Sequence, residues 1–173
     1  MKGTDFVTAL GQLLSQPELQ QLFIQAPEEV ADRLNLAADH RAMFVALDPE
    51  QVIAQANLLI TKRLKEVRAY LSQTFILLGH EGATCFKSYA TIHWPRNHRR
   101  HQEDACQFCD YLKNRNYPVN QSEVNYLRFL TSGRRIGLAL AKDALIQTHL
   151  FPAIQVFYRY KGTMGQWRLY LKG

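Results

Sequence analysis

The stretch that decides the fold is residues 48–79, DPEQVIAQANLLITKRLKEVRAYLSQTFILLG. Asp48 is a typical helix N-cap, Pro49 is favoured in a first turn, and Gly79 is typical of a helix end. Between them, apolar side chains recur at spacings of three and four: Val52, Ala56, Leu59, Ile60, Leu64, Val67, Leu71, Phe75 and Leu78. Such a stripe predicts one long amphipathic helix over the whole stretch.

The same stretch separates two parts of opposite charge. Residues 1–58 carry three basic and eight acidic side chains, a net charge of −5. Residues 59–173 carry eighteen basic and seven acidic side chains, a net charge of +11. One interpretation is that the two parts attract each other within one fold. The other is a basic surface for an acidic partner: nucleic acid, an acidic peptide or an acidic protein face.

Composition places the chain among globular proteins. It has 173 residues, of which 47% are hydrophobic, enough for a buried core. No apolar run approaches the length of a membrane span, and the first residues lack the apolar centre of a signal peptide. An odd number of cysteines, Cys85, Cys106 and Cys109, argues against a disulfide framework. We therefore expect a cytoplasmic protein with no membrane contact.

Short helical patterns with proline at their joints precede residue 48, and further helical patterns follow at residues 81–94, 103–112 and 122–130. Near the C-terminus, IQVFYRY and QWRLYLK are joined by KGTMG, which predicts a β-hairpin. Residues 134–141, RRIGLALA, fit a third strand or a helix.

The predicted fold is therefore mainly α, a multi-helix bundle with a small C-terminal β-hairpin or short antiparallel sheet. Residues 1–47 form an N-terminal helical cap, and residues 48–132 a central bundle with a long first helix. Residues 133–173 form a β element that packs on the bundle, within a single compact unit.

Catalytic motifs are missing from the sequence. It contains no GxSxG, Walker A, GxGxxG or HExxH pattern. We expect a protein that is not an enzyme and carries no cofactor.

Nitrogen and sulfur side chains within seventeen residues raise the possibility of a zinc site: His93, His98, His101, Cys106 and Cys109. Against it, Cys109 falls on the apolar stripe of its own predicted helix, where free cysteine often serves as a small hydrophobic residue. A CxxC inside a regular helix also lacks the turn that brings two sulfurs together. A small zinc-binding protein is accordingly the third functional alternative.

The densest basic cluster is the segment that follows Trp94. Arginine side chains pair well with phosphate or carboxylate, and a neighbouring tryptophan can stack on a base or anchor a peptide. A solvated loop explains the same residues. The candidate binding residues are Trp94, Arg96, His98, Arg99, Arg100, Arg134, Arg135 and Arg159.

A central segment, residues 62–112, resembles the helical domain of HvfC/BufC-type accessory proteins and their actinobacterial relatives. The matching residues, in order, are Arg68, Leu71, Thr74, Leu77, Leu78, Gly79, Phe86, Tyr89, His93, Pro95, Asp104, Ala105, Phe108 and Leu112. His93-Trp94-Pro95 stands where that family has His-Pro-Pro.

The resemblance implies a bacterial, non-catalytic partner of a multinuclear non-heme iron-dependent oxidase. Such partners bind a precursor peptide through a C-terminal region and present it to the oxidase. A peptide can bind by adding a strand to a sheet edge. Along IQVFYRY, Ile154, Val156, Tyr158 and Tyr160 alternate with Gln155, Phe157 and Arg159, so one face can pack on helices while the other offers Arg159 to an acidic peptide. The alternative is a nucleic-acid-binding regulator that uses Arg96, Arg99, Arg100, Arg134 and Arg135 on phosphates.

Overall fold

A computed structural model describes residues 3–95, 100–146 and 149–171, and the side chains of all of these except residues 100, 143–146 and 149–151. The described residues form helices followed by a small sheet, which confirms the predicted mainly α fold class. The elements are α1 Phe6–Ser15, α2 Pro17–Gln25, α3 Pro27–Arg33, α4 Ala38–Val45, α5 Pro49–Tyr70, α6 Ser72–Leu78, α7 Glu81–Ala90, α8 Arg100–Lys113, α9 Gln121–Ser132, β1 Ile136–Ile146, β2 His149–Tyr160 and β3 Thr163–Tyr170.

The chain divides into two compact units. One comprises Met1–Lys62 and Ala90–Trp94, and the other comprises Arg63–Tyr89 and Pro95–Gly173. The division falls inside α5. The three segments assigned from the sequence stay a prediction.

The first unit is built from short helices that each bury a few apolar side chains. Asp5 caps α1 by accepting a hydrogen bond from the backbone N–H of Thr8 at 3.0 Å. Proline begins both α2 and α3, where its missing N–H costs nothing. The buried core of this unit consists of Ala9, Leu13, Leu19, Phe23, Val30, Ala31, Leu34, Leu36, Phe44 and Val52.

The predicted single helix over residues 48–79 is wrong in one respect, because it is interrupted at Leu71. This residue leaves the helical conformation, with φ −123° and ψ 36°. The Glu123 carboxylate accepts the backbone N–H groups of Gln73 at 2.7 Å and Thr74 at 2.9 Å. These are amides that a new helix start leaves without a partner, so a side chain distant in sequence stabilises the break.

A buried ion pair lies in the core of the second unit. The Arg63 guanidinium donates to both carboxylate oxygens of Asp104 at 2.9 Å, and the Tyr89 hydroxyl donates to the same carboxylate at 2.7 Å. The guanidinium also lies over the ring of Phe86, 5.7 Å from its centroid. Burial, and then the Asp104 charge, raise the pKa of Tyr89 far above its ordinary value.

The sheet is an antiparallel meander with the order β1-β2-β3. The predicted hairpin is confirmed, and its turn is shorter than the KGTMG segment: only Lys161 and Gly162 separate Tyr160 from its partner Thr163. Both turn residues have positive φ, 48° and 82°, as a tight two-residue hairpin turn requires. The segment that fitted a strand or a helix forms β1, which pairs with β2 and contains a register shift between Ala141 and Ala144.

Candidate functional site

Part of the predicted basic cluster lies outside the described residues, namely Arg96, His98 and Arg99. Arg100 begins α8, and Trp94 is half-buried. The cluster therefore stays a prediction.

The predicted zinc ligands differ in how far their side chains are exposed to solvent. His93 is exposed, whereas Cys109 is almost fully buried among the apolar residues of α8. Burial raises the pKa of the Cys109 thiol to about 12, so the thiolate that binds metal is disfavoured. Among the described residues no group of three or more His, Cys, Asp or Glu side chains is placed to hold a metal ion. His98 lies outside the described residues, so the zinc site stays a prediction.

Arg159 lies on the helix-facing side of β2, not on the outer side as the alternation suggested. It shares this side with Phe157, which is buried. Its guanidinium donates to the backbone carbonyl of Leu130 at 3.2 Å and lies 5.8 Å from the centroid of the Phe129 ring. Arg159 thus helps to hold the sheet on α9.

Arg134 and Arg135 are exposed and lie between α9 and β1. Arg134 lines a groove of about 320 Å³ that runs between the two elements. The groove, hereafter the α9–β1 groove, is lined by Asn125, Arg128, Phe129, Ser132, Arg134, Gly137, Leu138, Ala139 and Phe157. Arg128 is also exposed, and no described carboxylate forms an ion pair with Arg128 or Arg134. The groove therefore carries two positive charges that are open to a ligand.

The floor of the α9–β1 groove is aromatic and closely packed. Phe129 and Phe157 are stacked with ring centroids 5.2 Å apart. A side chain at Gly137 would place its Cβ 2.8 Å from the Phe129 ring, so only glycine lets this ring approach the strand so closely. Both rings are nearly buried beneath the groove, so its exposed charged side chains are the arginines at its rim.

The sheet is fastened to α9 by a polar network beside the groove. The buried Gln155 donates from Nε2 to the Ser122 hydroxyl at 2.7 Å, and its Oε1 accepts from Asn125 Nδ2 at 3.0 Å. The same Asn125 amide donates to the backbone carbonyl of Leu140 at 3.0 Å. This last bond fixes the position of β1 over α9 at one end of the groove.

β1 is an edge strand, and no described strand pairs with its outer edge. The backbone N–H of Arg159 donates to the carbonyl of Arg135 at 2.8 Å, which identifies these two as a hydrogen-bonded pair. Because such pairs alternate along an antiparallel ladder, Gly137 and Ala139 direct their backbone groups towards β2, and Leu138 directs its N–H and C=O away from the sheet. Leu138 thus presents an unused donor and acceptor where its strand lines the groove.

The outer face of the sheet is apolar. It is formed by the described side chains that point away from α9: Ile136, Leu138, Leu140, Ile154, Val156, Tyr158, Tyr160, Trp167, Leu169 and Leu171. We call this set the outer sheet face. The sequence contains a signal for this face, because in IGLALA, residues 136–141, large residues alternate with Gly and Ala. The small residues face α9 because this helix packs closely against them.

No protein-family model, curated protein or solved structure matches this chain. Within the part of the chain that the structure describes, no helix has the length and apolar character of a membrane span.

Proposed function

We propose that this chain is a non-catalytic accessory protein that binds an extended, acidic peptide as an additional strand on β1. The single observation that carries the proposal is the edge of β1 itself. There the outward backbone groups of Leu138 border a groove with Arg128 and Arg134 at its rim. Strand addition is the binding mode that an edge with unpaired backbone groups beside a groove favours. On β1 this edge ends before Leu140, because the outward carbonyl of Leu140 already accepts from Asn125.

The register of β1 specifies what the peptide should look like. Side chains of a strand alternate between the two faces of a sheet. A peptide residue opposite Leu138 would direct its side chain to the same side as Leu138, and would extend the outer sheet face. Its two neighbours would direct their side chains towards the α9–β1 groove, where Arg128 and Arg134 favour carboxylates. The fitting ligand therefore alternates apolar and acidic residues.

The resemblance to HvfC/BufC-type proteins suggests which peptide this is. In that family the ligand is a precursor peptide, and the accessory protein presents it to a non-heme iron-dependent oxidase. We include this partner in the proposal. Nucleic acid is the competing ligand, because phosphate would satisfy the same arginine side chains.

The test uses the full chain and a fluorescein-labelled ten-residue peptide in which valine alternates with glutamate, followed by fluorescence anisotropy. Leu138→Pro removes the outward N–H of the β1 edge without removing a β1–β2 hydrogen bond. We expect it to weaken binding at least tenfold, since it loses a backbone hydrogen bond worth about 1 kcal/mol and the proline ring also obstructs the added strand.

The matched control is Gln166→Pro on β3, the other edge strand. Leu171 donates to the Pro152 carbonyl at 2.9 Å, and by the same alternation the N–H of Gln166 also points away from the sheet. We expect this variant to bind the peptide as the unaltered chain does. Arg134→Glu should weaken binding of the acidic peptide. It should strengthen binding of a matched peptide that has lysine in place of glutamate.

Three outcomes would contradict the proposal. The first is equal binding by Leu138→Pro and the unaltered chain, with both folded by circular dichroism. The second is loss of binding in Gln166→Pro alone, which would move the site to β3. The third is displacement of the peptide by a short single-stranded oligonucleotide whose affinity falls steeply with salt concentration. That result would favour the nucleic-acid alternative.

A further inference from the structure

The outer sheet face presents large apolar side chains from all three strands. Ile136, Leu138, Leu140, Trp167 and Leu169 are 59% to 74% exposed. Cross-strand pairing places them in one continuous layer, since Leu138 is opposite Val156 and Val156 is opposite Trp167. Isolated exposed apolar residues are normal on a protein, but a layer spanning a whole sheet is typical of an interface.

Charge is missing from this layer. None of the ten residues of the outer sheet face is acidic or basic, and the exposed Lys142 follows two residues after Leu140, at the register shift where the described part of the layer ends. The helix-facing side of the same strands carries Gln155, Arg159 and Arg168. The usual arrangement of a one-sided sheet, apolar towards the helices and polar towards water, is therefore reversed in part. Two of the small residues that face α9, Ala141 and Ala153, form a buried cluster of their own.

The layer has the area that a dimer needs. A fully exposed aliphatic side chain presents on the order of 100 Å² of apolar surface, and an aromatic one about 200 Å². Weighted by their exposures, the outer sheet face offers roughly 600 Å² in one chain, and two such faces would bury roughly 1,200 Å² together. That is the lower end of the range for stable, specific protein interfaces.

We propose that two copies of this chain pack outer sheet face against outer sheet face as a twofold dimer. A twofold interface applies the same surface patch in both copies, so the patch must be complementary to itself. The outer sheet face meets this condition, because its ten apolar side chains bring no like charges into opposition. Two stacked sheets interdigitate their side chains at a separation of about 10 Å, as in a β-sandwich.

The interface leaves the peptide-binding edge accessible. The α9–β1 groove lies on the helix-facing side of the sheet, and the outward N–H and C=O of Leu138 lie in the plane of the sheet. The proposal of a dimer does not depend on the proposal of peptide binding, and each can fail without the other.

The test is sedimentation velocity of the full chain between about 1 and 100 µM. We expect a monomer–dimer equilibrium. Leu169→Lys introduces a charge into the layer on the strand farthest from the groove. We expect the dimer dissociation constant to rise at least 30-fold, because the interface would bury an unpaired charge. Val7→Lys is the matched control, because Val7 is also an exposed apolar residue, on α1, 77% exposed, and should leave the dimer unchanged.

A second readout uses the fluorescence of Trp167, in a Trp94→Phe background so that one tryptophan remains. Its emission should shift to shorter wavelength as concentration rises through the dimer transition, and Leu169→Lys should abolish the shift. If Leu169→Lys fails to fold by circular dichroism, Leu138→Lys replaces it, since Leu138 is 74% exposed and Leu169 is 59% exposed.

Three results would overturn the proposal. A monomer at about 100 µM would show that the layer does not bind itself. Open-ended oligomers that grow with concentration would show a contact without twofold closure. A dimer that both lysine variants leave intact would place the interface elsewhere on the chain.

Discussion

Replacement of Asp104 by asparagine tests the claim that the buried ion pair stabilises the second unit. The side chain of Asp104 is 1% exposed and that of Arg63 is 9% exposed, so the guanidinium cannot exchange its partner for water. Asp104→Asn keeps the shape of the side chain and removes its charge, so the buried guanidinium loses the carboxylate that accepts its two hydrogen bonds.

The expected loss follows from this burial. Removing one partner of a buried pair typically costs about 3–5 kcal/mol. Asparagine still offers one oxygen, which can accept from either Arg63 or the Tyr89 hydroxyl, so we expect a loss near the lower end, about 3 kcal/mol.

The control has equally good geometry but no burial. Arg33 and Glu29 are 2.7 Å apart, closer than Arg63 and Asp104, yet both side chains are at least half exposed. Glu29→Gln should therefore cost no more than about 0.5 kcal/mol. If distance alone determined the energy, the order of the two variants would be reversed.

Urea denaturation followed by circular dichroism measures both free energies. With a slope of about 1–3 kcal/mol per molar urea, Asp104→Asn should lower the midpoint by roughly 1–3 M and Glu29→Gln by less than about 0.5 M. A midpoint for Asp104→Asn within error of that for Glu29→Gln would refute the reasoning. The double variant Arg63→Met, Asp104→Leu should recover part of the loss, because both charges of this pair are then removed from the interior.

Two further predictions concern the second unit. Glu123→Gln should lower the free energy of unfolding by about 2 kcal/mol in the same urea assay. The reason is that an amide has one acceptor oxygen and cannot accept the N–H groups of both Gln73 and Thr74 as the carboxylate does. A loss no larger than that of Glu29→Gln would contradict this. At pH 7, iodoacetamide should modify Cys106 well before Cys109, whose pKa burial raises to about 12, and equal rates of modification by peptide mass mapping would contradict this.

The elements could be predicted from the sequence wherever their signals are local. Asp48 and Pro49 mark the start of α5, and Gly79 marks the end of α6 with a positive φ of 56°. The two-residue turn at Lys161 and Gly162 lies within the segment assigned to the hairpin loop. In each case residues within a few positions of one another carry the signal, so tertiary context is not needed to read it.

The break at Leu71 could not be predicted because its cause is remote. The apolar stripe continues through Leu71 without a change of period, and no proline or glycine marks the position. Glu123, fifty residues from Gln73, supplies the carboxylate that accepts the freed amides. A pattern within one segment does not record such a partner.

The candidate site was predicted only in part for the same reason. Arg134 was assigned to a basic site from its own neighbours, whereas Arg128 on α9 reads as an ordinary exposed helical residue. The two converge only because α9 packs beside β1. The alternation of β2 identifies two faces but not which of them meets the helix, so it does not predict that Arg159 faces α9.

The two proposals are coupled by the geometry of the sheet. A peptide strand added beside Leu138 would place alternate apolar side chains in line with the outer sheet face, and would widen the layer that two copies share. Any ligand that adds contact area to the dimer binds the dimer more tightly than the monomer, and by reciprocity the dimer must favour the ligand. Peptide affinity should therefore rise with protein concentration across the dimer transition, and Leu169→Lys, which does not touch the groove, should remove that rise while leaving the affinity of the monomer unchanged.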